Sequence, residues 1–208
     1  MVFFIIFAST MKTKAELTSE YILEIAAPIF NKNGYAATSM RDITEATSLT
    51  KGAIYGNFKN KEELAIAAFK FTVKSLMKDI SKHLELSNSP IQKLFLISDF
   101  YRNYYPYSKK NGGCPVLNIG VDANNQNSLL LKKVKEVIEK IQDQVATIIE
   151  NGIEAGEIST KVNAMQYAKR LDTMIQGAIF MTYTMDDEHY MKDTMNQIDQ
   201  MIHNELKI

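Results

Sequence analysis

The sequence is short of the residues that break regular structure and of those that cross-link it. Its 208 residues include only 9 glycines and 4 prolines, and β-branched alternating runs are absent. Strand-and-turn architectures need both, so the shortage points to an all-α chain. A single cysteine, Cys114, excludes an intramolecular disulfide and fits a reducing cytoplasm, the expected location. Net charge is missing too: 24 basic and 24 acidic residues cancel, so no global field draws the chain to nucleic acid. Any DNA contact must come from a local patch. Catalytic signatures are also absent. His83, His189 and His203 lack metal-ligand spacing, and there is no nucleophile motif, phosphate-cradling glycine loop or paired cysteine. An enzyme, a metal site and a cofactor are therefore not expected.

The first residues are unusual. Val2 to Ala8 is continuously apolar, with no positive charge before it; Lys12 and Lys14 come after. A secretory signal carries its basic residues first, and a membrane span needs ~20 residues. The expectation is that Met11 is the true start and that residues 1–14 form a disordered extension, with an N-terminal membrane anchor as the alternative.

Beyond that point the chain reads as a series of about nine helices. The first is expected from about Leu17 to Asn33, capped by Thr18 or Ser19, stopped by Asn33-Gly34 and bent at Pro28. A second, about Ser39 to Ala46, has Thr38 or Ser39 as cap and Asp42 placed to complete a capping box with Ser39. Thr47, Ser48 and Leu49 form a turn, and Thr50 caps a third helix over Lys51 to Phe58. Ile43, Ala46, Leu49, Ile54 and Phe58 are spaced to share one small core with the first helix. Asn60 opens a long fourth helix reaching about Leu86, with Glu63 three residues on. Ser89-Pro90 starts a fifth, which Pro106 is expected to end near Tyr105. Residues 108–127 are turn-rich, with a short helix near Pro115 to Ala123. Three more helices follow: from Ser128 to a Gly156 cap, from about Asn163 to Thr184, and from about Asp186 to Leu206.

The segment from Gly34 to Leu64 is the informative one. Two short capped helices joined by a tight turn, with a long helix at once behind them, have the layout of a helix-turn-helix that enters a DNA groove. Gly52 and Ala53 carry almost no side chain, so the backbone of the third helix can approach base edges. Lys51 is long enough to reach a guanine edge, and Tyr55 one turn on can reach a phosphate or a thymine methyl. Thr38, Ser39, Thr50, Lys59 and Lys61 surround the motif with donors for phosphate oxygens, and Arg41 can reach out from the second helix. Between Ala46 and Lys61 lie three lysines and no acid, a basic patch in a neutral protein.

The same residues resemble the N-terminal domain of the tetracycline-repressor-like (TetR) transcriptional regulators. The resemblance runs through Ala26-Ala27, Phe30, Gly34-Tyr35, Thr38, Asp42-Ile43, Ala46, Thr50, Gly52, Tyr55, Phe58, Lys61, Glu63 and Leu64. It implies phosphate contacts at Thr38, Thr50, Tyr55 and Lys61 and base contacts at Arg41, Lys51 and Gly52. Gly56 and Asn57 stand where the family often has bulky residues and a histidine. Asn57 can still donate to a phosphate; Gly56 lowers helix propensity by ~1 kcal/mol against Ala.

The resemblance further implies a helix-turn-helix domain over residues 15–60 and a helical effector-binding and dimerisation domain over 61–208. The implied function is a ligand-responsive regulator, a repressor that binds a near-palindromic operator as a homodimer and is released by a small apolar or aromatic effector. A helical ligand-binding or scaffold protein that has lost DNA binding stays open as the alternative. For the dimer, Ala164, Ala168, Leu171, Ile175, Gly177, Ala178, Ile179 and Thr182 form a stripe at helical spacing, as do Met191, Met195, Ile198, Met201 and Ile202. For the effector, Phe100, Tyr101, Tyr104, Tyr105 and Tyr107 crowd one helix end, and Met174, Phe180, Met181, Tyr183 and Met185 crowd another, with Cys114 and Asn118 between. Each of these can equally be plain core. Cys114 also raises a redox-sensing role against the blander one of a buried small hydrophobe.

Overall fold

The computed structural model describes residues 13–109, 111–124 and 126–208, so the expectations for residues 1–10 lie outside the described residues. Its first helix, α1 (Lys14–Ala37), starts earlier than expected. The cap is Thr13, whose hydroxyl accepts the Glu16 N–H at 3.2 Å while the Glu16 carboxylate accepts the Thr13 N–H at 2.7 Å. That reciprocal box outcompetes Thr18, whose hydroxyl instead donates back to the Lys14 carbonyl. The helical path breaks at Gly34, where φ is +81°, and one further turn follows to Ala37. Pro28 stands well inside α1, where it removes a backbone donor at a usual cost of ~3 kcal/mol.

The next three helices form a small core with α1. They are α2 (Met40–Thr47), α3 (Lys51–Tyr55) and α4 (Lys61–Leu84). Ile22, Ala26, Phe30, Ile43, Ile54, Phe58 and Leu64 bury one another, and Ala65 and Ala68 of α4 join them. Ala46, expected in this core, is exposed; its neighbour Thr47 is buried instead, with its hydroxyl donating to the Ile43 carbonyl. The third helix stops at Tyr55 rather than Phe58. Gly56 caps it, and the N–H groups of Asn57 and Phe58 both turn onto the Ile54 carbonyl at 3.0 Å.

The remaining helices are α5 (Pro90–Arg102), α6 (Tyr104–Lys109), α7 (Pro115–Ala123), α8 (Ser128–Glu154), α9 (Ala164–Met185) and α10 (His189–Met201), closed by a π-helical turn at Ile202–Leu206. That makes ten α-helices among the described residues, one more than the sequence suggests. The extra one is α6. Pro106 does not end α5; it sits in the first turn of α6, where no intrahelical N–H is required. The break falls at Asn103, whose N–H turns back onto the Phe100 carbonyl. There is no strand among the described residues, only an isolated bridge between Ile158 and Lys207.

These helices enclose a second, larger core, to which α4 contributes Phe69, Val73 and Leu76. The two stripes expected at a dimer seam are spent inside the chain. Ala168, Leu171, Ile175, Ala178, Ile179 and Thr182 of α9 are buried, as are Met191, Met195, Ile198 and Met201 of α10 and Ile202 beyond it. The outer face of α9 is what remains. Thr173, Gly177, Phe180 and Thr184 are exposed along it, Phe180 by 52%.

Candidate nucleic-acid interface

Side-chain caps fix both short helices. Ser39 starts α2 by accepting the Asp42 N–H at 3.1 Å, and Asp42 accepts the Ser39 N–H at 2.7 Å. The Ser39 N–H and, after it, the Ser39 hydroxyl bond to the Asp42 carboxylate and hold it below the usual carboxylate range. Ser48 then turns the chain in a left-handed conformation, and the Thr50 hydroxyl starts α3 by accepting the Ala53 N–H at 3.1 Å. At Thr50 the hydroxyl acts as acceptor, so its own hydrogen remains to donate to a phosphate, whereas the Ser39 hydroxyl also bonds the Asp42 carboxylate and would have to turn from it to reach one. The turn is also pinned from α1: Tyr21 donates to the Thr47 carbonyl at 3.0 Å.

One face of this unit turns inward through Ile43, Thr47, Ile54 and Phe58. The other presents Ser39, Arg41, Thr50, Lys51, Gly52 and Tyr55 to solvent, with Ala53 half-buried beside them. An added Cβ at Gly52 would meet only the Thr50 hydroxyl, at 3.9 Å, so the start of α3 is open to close approach. Arg41 pairs with Glu45 at 2.7 Å, but both side chains are exposed and such a pair is worth only ~0.3–0.5 kcal/mol. A phosphate can replace it. Lys51 lies 5.8 Å from the Tyr55 ring centre, so the two form one basic-aromatic tip.

Three of the expected contacts sit differently. Thr38 is buried, 1% exposed, and its hydroxyl donates to the Gly34 carbonyl at 2.7 Å, so it braces the end of α1 rather than facing outward. The Asn57 amide is engaged at both atoms, donating to the Ala53 carbonyl and accepting from Ser19, which leaves one N–H and makes it chiefly a strut between α3 and α1. Lys61 lies 4.4 Å above the Tyr35 ring and reaches the Ala36 carbonyl at 3.4 Å, half-buried at the joint of α1 and α4.

That joint carries residues which sequence reasoning missed. The Asp122 carboxylate of α7 accepts the Tyr35 N–H at 2.6 Å, just past the Gly34 break. Asn31 donates to the carbonyls of Asn111 and Gly113, and Asn118 donates to those of Asn31 and Gly112. Asn118 is thus a clasp between α7 and α1. The GY pair had signalled a helix end, but nothing in the local pattern announced a partner some 90 residues away.

The residues expected to bind an effector do not form one pocket. Phe100 packs against the rings of His83, Tyr101, Tyr104 and Tyr107, with centroids 5.6 to 6.1 Å apart. Tyr105 and Tyr183 meet edge to face at 4.9 Å; Tyr105 bonds to Asp186 and Tyr183 to Ser108. Met174 is half-buried against the large core. Burial pushes the hydroxyls of Tyr101 and Tyr104 far above their ordinary range. Cys114 is buried and its thiol is pushed up by burial, which keeps it protonated. It is a core residue, and the sensing role has no thiolate to rest on.

Tyr101 and Tyr104 face two different cavities, and Asn118 and Tyr183 line a third, open groove between the end of α1, α7 and α9. Tyr101 borders a space of about 70 Å³ between α4, α5, α8 and α9, walled by Ile97, Ile141, Val145, Leu171 and Ile175. Its one charged group is Asp172, which accepts from Gln142 at 2.8 Å and Gln176 at 3.3 Å. Tyr104 borders a second space where α1 meets α4, α6 and α7. No group of residues that could hold a metal ion occurs among the described residues, and no helix there is long and apolar enough to cross a membrane.

Comparison with known proteins agrees with this arrangement. The family model described as bacterial regulatory proteins, tetR family, matches residues 22–68, and that of the tetracyclin repressor-like C-terminal domain matches residues 90–198. The HTH-type transcriptional regulator YxaF of Bacillus subtilis is 28% identical over 178 residues, covering 81% of this chain and 86% of that protein. The HTH-type transcriptional repressor DhaR of a Mycobacterium strain is 24% identical over 164 residues, 77% of this chain and 79% of the relative. A TetR-family transcriptional regulator from Cytophaga hutchinsonii has the same fold, with a TM-score of 0.90 and 32% identity over 95% of this chain and 98% of that one.

Proposed function

Because the chain belongs to the tetracycline-repressor-like family of DNA-binding transcriptional regulators, we propose that two copies of α3 read a near-palindromic operator in the cytoplasm and repress the gene beside it. The family is one of transcription factors, not enzymes, and this chain is a transcription factor. The observation that carries the reading is the outward tip of Thr50, Lys51, Gly52 and Tyr55, capped, uncrowded and backed by a buried core. Thr50 and Ser39 would donate to phosphates, Arg41 would exchange Glu45 for one, and Lys51 and Tyr55 would read the groove. Two such tips must lie about one turn apart, ~34 Å, to enter successive major grooves.

The outer face of α9 suits the second copy. Its small residues Thr173, Gly177 and Thr184 let a partner helix approach, and Phe180 supplies the apolar anchor. The effector would enter beside Tyr101. An apolar cavity of ~150 Å³ is known to hold a benzene-sized guest, so the space of about 70 Å³ there must widen, parting α5 from α8 and α9. That movement is the differential contact by which a small apolar effector would favour a non-binding conformation. Band-shift titration with the gene's own upstream region tests the DNA reading. The double variant Lys51→Ala, Tyr55→Ala should lose about 100-fold in affinity with its helical content intact; unchanged retention would refute the assignment.

A further inference from the structure

The second cavity, of about 170 Å³, lies where the DNA-binding helices dock on the rest of the chain. Its floor is buried: Ala27, Leu76, Tyr104 and Pro115 supply apolar surface. Its mouth is exposed and carries Glu24, Pro28, Ser75 and Asn111. The size matches one aromatic ring, since an apolar cavity of ~150 Å³ accommodates benzene.

Three of the hydroxyls around it are spent as donors, while the Ser75 hydroxyl and the Asn111 amide stand at its mouth. The hydroxyls of Thr72, Tyr107 and Ser108 already donate, to the Ala68 carbonyl, Asp79 and the Tyr104 carbonyl, so each offers only lone pairs. Among the described residues no lysine, arginine or histidine lines the space, while Glu24 stands at its mouth. Pro28 adds another acceptor. A helical carbonyl points toward the residue four positions on, and for Glu24 that residue is Pro28, which has no N–H. Glu24 and Pro28 both line the cavity, and the Glu24 carbonyl lacks the donor that a helix ordinarily supplies four residues on.

We propose that this junction cavity is a binding site for a small arylalkyl ammonium ion, a single aromatic ring carrying a protonated amine. The ring would rest on Tyr104 and Leu76, and the ammonium group would donate to the Glu24 carboxylate and carbonyl. The site is distinct from the space beside Tyr101. Its walls come from α1 on one side and from α4, α6 and α7 on the other, so an occupant bridges the DNA-binding helices to the body of the protein.

Calorimetric titration of the full chain, without DNA, with benzylamine, benzyl alcohol and benzoate tests the site independently of the operator reading. Benzylamine should bind saturably at millimolar concentration or below, benzyl alcohol about fivefold more weakly, and benzoate not at all. Glu24→Gln should weaken benzylamine by about fivefold and leave benzyl alcohol unchanged. Ser75→Trp, at an exposed position on the rim, should close the site to both while circular dichroism shows the fold intact. Absence of saturable benzylamine binding, equal binding of benzoate, or binding indifferent to both substitutions would overturn the proposal.

Discussion

Thr50 begins the helix proposed to face DNA, and its hydroxyl caps that five-residue helix by accepting the Ala53 N–H. Thr50→Ala should cost about 1 kcal/mol in urea denaturation, whereas Thr50→Ser should restore most of it. Asp42 makes a matching prediction for pH. Its folded pKa is lowered by the bonds from Ser39, so its stabilising contribution is present above the unfolded value of ~3.9 and is lost as pH falls through the folded value. Asp42→Asn should flatten the acid limb of the stability curve; an acid limb identical to that of the parent protein would contradict this. Caps of this kind were legible in the sequence. Ser39, Thr50, Asn60 and Ser89 each hold the helix assigned to them, because a cap is a local geometry with a local signal. Thr38 and Asn57 were not legible in the same way. Their residue types suit a phosphate, but burial and the nearby Gly34, Ala53 and Ser19 decide what they bond.

Among the elements, the joint between α1 and α7 has the sharpest geometry. Gly34 adopts a left-handed φ of +81°, and a Cβ there would lie 2.8 Å from a carboxylate oxygen of Asp122. Gly34→Ala should therefore destabilise the protein by about 1–3 kcal/mol, read from the urea midpoint. Asp122→Ala should leave Gly34 in place and weaken only the grip of α7 on Tyr35, so native-state hydrogen exchange at the Tyr35 amide should speed up. Helix boundaries followed the sequence where a first-turn proline or a closing glycine marked them, as at Pro115 and Gly156. They departed where two rules compete. Pro106 can end a helix or stand in the first turn of the next, and the chain takes the second course because α5 has already closed at Asn103. The early end of α3 at Gly56 likewise turns an expected loss of helix propensity into a designed stop.

At the scale of the whole molecule, α4 belongs to both cores, with Leu64, Ala65 and Ala68 in one and Phe69, Val73 and Leu76 in the other. A shift of its far end must therefore reach the DNA-facing helices. The apolar stripes of α9 and α10 show why a dimer seam is hard to read from sequence. Periodicity identifies a buried face, but not whether the burying partner is the same chain or another, and here Ile179 and Met195 are fully enclosed within one subunit. The exposed Phe180 is the residue proposed to meet a second copy. Phe180→Asp should shift the protein to monomer in sedimentation and lower operator affinity, with the monomer's helical content preserved. The effector cavity was even less legible, since aromatic residues crowd a helix end equally well as core, and Phe100 with its neighbours does so here. The face carrying Lys51 and Tyr55 is proposed to read DNA in this otherwise neutral chain. The most direct measurement is operator affinity by fluorescence anisotropy across a salt series, for the parent and for Lys51→Ala. The parent should show a steep linear fall of log affinity with log salt, and Lys51→Ala a slope shallower by about one for each lysine lost from a phosphate. A salt-independent affinity, or a slope that Lys51→Ala leaves unaltered together with the affinity, would contradict it.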